Sequence, residues 1–117
     1  MSRQKRLGQH QVLWIIRYNL RLSAAAMARQ AGLTEHAYRG LEVDPIGERA
    51  RDWSRLVANV PLVTALLGEP DLASGQNDRV LGIRFQLICL EHLTPTRQAM
   101  EMARIRLELA WIDGQGG

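Results

Sequence analysis

The chain has 117 residues and a formal net charge of +3; 46% of it is hydrophobic, 23% charged and 5% aromatic. That length suits one compact domain, or a small domain with an assembly element, and is too short for a separate ligand-sensing domain of usual size. The composition excludes a generally disordered chain, and the single Cys89 excludes an intrachain disulfide.

Residues 1–8 read as a basic N-terminal arm, in which Arg3, Lys5 and Arg6 can track phosphate, enter a minor groove, or form a charged end without fixed structure. The arm runs into no apolar segment of signal-peptide length, and no later stretch reaches the roughly 18 apolar residues of a membrane span. A cytoplasmic protein is expected.

From Gln9 to Arg21, Val12, Ile15, Ile16 and Leu20 recur at three- and four-residue steps, which predicts a first helix with one apolar face. Ser23 suits the N-cap of a short second helix through Gln30, because its hydroxyl can accept from an amide of the first turn. Gly32 then allows a left-handed turn before Leu33, and Thr34 caps a third helix. Asp44-Pro45-Ile46-Gly47 reads as a turn. After it, Trp53, Leu56, Val57 and Val60 define a fourth helix, and Pro61 opens a fifth that carries Leu62, Val63, Leu66 and Leu67.

The stretch 68–78 is rich in turn formers and reads as a linker before a C-terminal segment, 79–113, and a tail, 114–117. Val80, Ile83, Leu87 and Leu90 fit a helical seam, while Ile83, Phe85, Leu87 and Cys89 alternate as in a strand; helix is the expectation, and a strand would imply sheet pairing across subunits. Thr94-Pro95 caps and opens a last helix, in which Met102, Ile105, Leu109 and Ile112 follow three-four-three spacing. These four residues are expected to form a dimer contact, since they offer more apolar surface than a terminal helix can bury on itself; the alternative is a segment folded back over the first and fourth helices of the same subunit.

The stretch "SAAAMARQAGLTEHAYRGLE", residues 23–42, carries the functional signal. Ala24, Met27, Ala31, Leu33, Tyr38 and Leu41 are apolar, Ala28 is small and Gly32 stands at the turn. A helix-turn-helix needs this arrangement: the small residue lets the two helices approach, the glycine permits the tight turn, and the larger apolar side chains bury the inner face. Charge agrees with it. Residues 1–60 hold ten Lys or Arg against five acids, and the remainder five against seven. Arg forks onto phosphate oxygens, and each neutralised phosphate releases counterions.

Over residues 9–67 the chain resembles the Cro/repressor (XRE) helix-turn-helix family of phage, plasmid and bacterial regulators. The resemblance implies an all-α fold, a five-helix DNA-binding domain followed by a C-terminal helical dimerisation segment. It implies pairing of Arg17 with Glu42, which fixes orientation more than stability. It also implies that the third helix enters the major groove with Thr34, Glu35, His36, Arg39 and Gly40 facing DNA. Thr34 can reach phosphate or a base, Glu35 can accept from cytosine, His36 can bond a purine edge, and Arg39 suits phosphate or guanine. The family's glutamine after the second-helix cap is replaced by Ala24 and Ala25, which leaves backbone amides from Ser23 onward and the flanking Arg17 and Arg21 to hold phosphate.

The function expected is a sequence-specific transcriptional regulator, a dimeric repressor on an inverted repeat of double-stranded DNA. The alternative is a helix-turn-helix scaffold used to grip a protein partner, as an antitoxin or an inhibitor of a transcription factor. No cofactor or metal is called for, and no acid–base pair, metal cluster or phosphate-cradling glycine loop marks an enzyme. His10 and His92 lack ligand spacing, Trp14, Trp53 and Trp111 suit packing, and Cys89 reads as a buried small hydrophobe.

Overall fold

The structure is a computed structural model and describes residues 7–43, 50–67 and 78–115. Over these residues the chain is helical: α1 (Gln9–Leu20), α2 (Ala24–Ala31), α3 (Glu35–Leu41), α4 (Ala50–Asn59), α5 (Pro61–Leu67), α6 (Asp78–Glu91) and α7 (Pro95–Gly114). Most of the basic arm, the turn expected over 44–47, nearly all of the linker and the end of the tail lie outside the described residues.

Side-chain caps set the helix starts. Ser23 accepts from the Ala26 amide, Thr34 from Ala37 and Thr94 from Arg97, each satisfying an amide that the first turn leaves without a helical partner. Gly32 ends α2 at φ 74°, where a Cβ is unfavourable. Arg21 ends α1 at φ 56° although it carries a side chain, a strain of about 1–2 kcal/mol. Its guanidinium lies 4.8 Å from the centre of the Tyr18 ring and 3.4 Å from Glu108, contacts that hold it in place.

α1 is the shared wall of two cores. Val12, Leu13 and Ile16 pack with Ala24, Met27, Ala28, Ala31, Tyr38, Leu41, Leu56, Val60 and Val63. Ile15 faces the other way, into a second core with Ile83, Leu90, Met102, Ile105, Leu109 and Ile112. The single apolar face expected of the first helix is therefore two faces, and buried Leu13 belongs to the first of them. A helix apolar on opposite sides is a core element, not a surface one.

The second core corrects the expectation for the C-terminal segment. Met102, Ile105, Leu109 and Ile112 are buried against α1 and α6 of the same chain, so they do not form a free dimer face. The apolar surface that a lone terminal helix lacks is supplied by Ile15 and by α6, whose Val80, Ile83 and Leu90 are buried at helical spacing. What α6 and α7 leave exposed lies on their far sides: Leu81, Phe85 and Ile88 on one, Met100, Leu107 and Trp111 on the other.

Candidate nucleic-acid interface

α2 and α3 are held at a fixed angle by their turn and by α4. Ala28, 1% exposed, leaves room for the close approach, and the Leu33 amide donates to its carbonyl at 2.9 Å. From α4, Asn59 Nδ2 donates to the Ala31 carbonyl at 2.7 Å and an Arg55 guanidinium nitrogen to that of Gly32 at 3.3 Å. These bonds satisfy carbonyls that the end of α2 leaves without helical partners. Tyr38 and Leu41 bury the inner side of α3.

The outer side of α3 presents Thr34, Glu35, His36 and Arg39, all exposed, with Gly40 half-buried between Arg39 and the inner face. Glu35 and Arg39 pair one turn apart at 2.8 Å, and both side chains are about half exposed. An exposed pair of this kind contributes only about 0.3–0.5 kcal/mol, so either member can leave it for a better partner. Arg29 and Gln30 on α2, and Arg51 and Arg55 on α4, are exposed as well. These side chains can donate to phosphate.

Behind α3 lies a buried polar network. Arg17 Nε and a terminal nitrogen donate to the two carboxylate oxygens of Glu42 at 2.7 and 2.9 Å, and Tyr38 donates its hydroxyl to Glu42 Oε2 at 2.5 Å. Trp14 Nε1 donates to the Glu42 carbonyl at 2.9 Å. Burial alone would lower the Arg17 pKa, but the hydrogen bond and charge of Glu42 outweigh it and raise the pKa above its ordinary value. Burial, then the Glu42 carboxylate, hold the Tyr38 hydroxyl well above the usual phenol range.

The network continues into α7. Asp113 Oδ1 accepts from Arg17 at 2.7 Å and from the Ala24 amide, the first of α2, at 2.9 Å, and Oδ2 lies 3.7 Å from Arg39. Three of the residues expected at phosphate are therefore engaged within the chain. Arg17 is 2% exposed and doubly paired, Ala24 is buried with its amide on Asp113, and Ser23 is buried with its hydroxyl on Ala26. The causes differ: Ser23 caps its own helix, Arg17 is held by Glu42 as well as by Asp113, and the Ala24 amide is taken by the α7 carboxylate alone. Arg21 is exposed, but on the side of Tyr18 and Glu108.

Asp113 was not among the residues expected at the site. It follows Ile112 at the end of an apolar seam and lies 89 residues from the amide that it accepts from, so local spacing carries no sign of it. Arg17, Arg39, Glu42, Arg106 and Asp113 line one polar cleft between α3 and α7. Arg106 stacks over Trp14 at 4.3 Å, and His10 meets the same ring edge-on at 5.3 Å. Cys89 is exposed, not buried as expected, because it lies outside the α6 seam that faces α1. Among the described residues no group of three His, Cys, Asp or Glu is placed to hold a metal ion, and no helix is long and apolar enough to cross a membrane.

Comparison with known proteins gives no match: no family model, no curated protein and no solved structure matches this chain.

Proposed function

We propose that the chain is a cytoplasmic, sequence-specific DNA-binding regulator of the Cro/repressor helix-turn-helix type, which represses a promoter by occupying it. One observation carries this reading: α3 presents Thr34, Glu35, His36 and Arg39 on its exposed side, next to a tight turn made by Gly32 and braced by Asn59. A helix held in this way by a preceding helix can lie in a major groove with its first residues on base edges. Exposed Arg29, Arg51 and Arg55 supply the cations for the flanking backbone.

Such small domains reach useful affinity as dimers on half-sites about one helical turn apart. Since the inner seam of α7 is buried, the dimer contact in this reading is the outer seam. Met100, Ala103, Leu107 and Ala110 follow a three-four-three spacing there, beside Trp111. Leu107 and Trp111 are 73% and 63% exposed.

The experiment for the DNA-binding reading is fluorescence anisotropy on the protein's own promoter with the wild type and a His36→Ala, Arg39→Ala double variant. The reading expects the double variant to lose at least ten-fold in affinity; unchanged binding contradicts it. A second reading, a scaffold that grips another protein, is favoured by a different observation: the Ala24 amide and Arg39 are both met by the Asp113 carboxylate. It expects no DNA binding at low salt from folded protein.

A further inference from the structure

The Asp113 carboxylate sits where the first helix of a helix-turn-helix crosses a DNA backbone. It accepts from the first amide of α2 and from one guanidinium, and lies near a second, Arg39, on the recognition surface. An amide at a helix N-terminus flanked by arginines is the donor set that binds a phosphate diester. Here the anion in that set is the chain's own. It is delivered by the last turn of α7, whose Thr94 cap lies at the opposite end and whose final residues, Gly114 and Gln115, are exposed.

We infer that Asp113 is an intramolecular stand-in for a DNA phosphate, so that the end of α7 latches the α2 anion site and must release it when a backbone phosphate binds there. This rests on the DNA-binding reading above. Charge and placement both favour release over a fixed cap. Arg17 keeps its two bonds to Glu42 when Asp113 leaves, so no buried guanidinium is stranded. The apolar seam of α7 ends at Ile112, so Asp113 can swing away without exposing Ile105 or Leu109. Arg39, freed from Asp113, gains a choice between phosphate and base.

The test compares wild type with Asp113→Asn and Asp113→Ala by titrating a random-sequence duplex across a salt series, with circular dichroism to confirm that each variant is folded. The latch predicts that both variants bind several-fold more tightly than wild type. The slope of log affinity against log salt stays close to that of the wild type, because the wild type contacts the same phosphate once the latch has opened. Equal or weaker binding by folded variants overturns the latch while wild-type binding leaves the DNA reading standing. No binding by wild type or variants, even at low salt, removes the reading and the latch together.

Hydrogen exchange on the wild-type chain gives the same test without a substitution. Amides of 113–115 lose protection on adding duplex if the latch opens, and unchanged or increased protection there contradicts it.

Discussion

Arg17 and Glu42 meet through two parallel hydrogen bonds at 2.7 and 2.9 Å, with side chains only 3% and 7% exposed, and so tie α1 to the end of α3. The pair orients the exposed side of α3 because Glu42 also accepts from Tyr38, which lies on the buried side of that helix. Replacing Glu42 with Gln leaves Asp113 as the one carboxylate on buried Arg17. The expected cost is about 1.5–3 kcal/mol in urea unfolding, the range for hydrogen bonds to a charged group. Replacing Arg17 and Glu42 together with Met is expected to recover only part of that loss, because the buried Tyr38 hydroxyl then lacks its acceptor and Asp113 its bond to Arg17, and a double-mutant cycle measures how much.

Tyr38 gives a pH dependence of defined sign. Its hydroxyl is held well above the ordinary phenol range by burial and by Glu42, whereas in the unfolded chain it ionises near pH 10. The stabilisation is therefore fully present below about pH 10 and is lost as pH rises further, because only the unfolded state gives up the proton. Of the chain's two tyrosines, Tyr38 is expected to ionise only together with unfolding. Phenolate absorbance and circular dichroism, followed along one alkaline titration, check this.

Gly32→Ala places a Cβ at φ 74°, with Asn59 Nδ2 3.4 Å from it. The conformation costs about 1–2 kcal/mol, which lowers Tm by about 5–10 °C. Calorimetry on the variant tests this, and an unchanged Tm contradicts the tight turn.

Leu107→Glu puts a charge in the middle of the outer seam of α7 and touches nothing in either core, since Leu107 is 73% exposed. The dimer reading expects the variant to sediment as a folded monomer at concentrations where wild type is a dimer. Met102→Glu, by contrast, places an unpaired charge in the second core and is expected to unfold the chain.

The parts of the fold legible in the sequence are those written in local spacing. Ser23, Thr34 and Thr94 cap the helices that follow them, Gly32 takes the left-handed turn, and Met102 to Ile112 form a buried seam. What covers that seam is not written locally. Spacing identifies an apolar face but not its partner, and here the partner is the second face of α1, signalled only by Ile15 and its neighbours. The same limit applies at the candidate site. Exposed Thr34, Glu35, His36 and Arg39 follow from their position in α3, but the engagement of Arg17 and Ala24 depends on Asp113, brought in by the packing of α7. Arg21 in a left-handed conformation likewise has no glycine to announce it.

The proposal that α3 reads DNA sequence is tested by selection of bound duplexes from a random library, at about physiological salt and with nonspecific competitor. A dimer reading DNA through α3 predicts an enriched inverted repeat with half-site centres about 10 base pairs apart. It also predicts that His36→Ala and Arg39→Ala relax preference at particular positions within each half-site. Folded protein that enriches no sequence contradicts the claim.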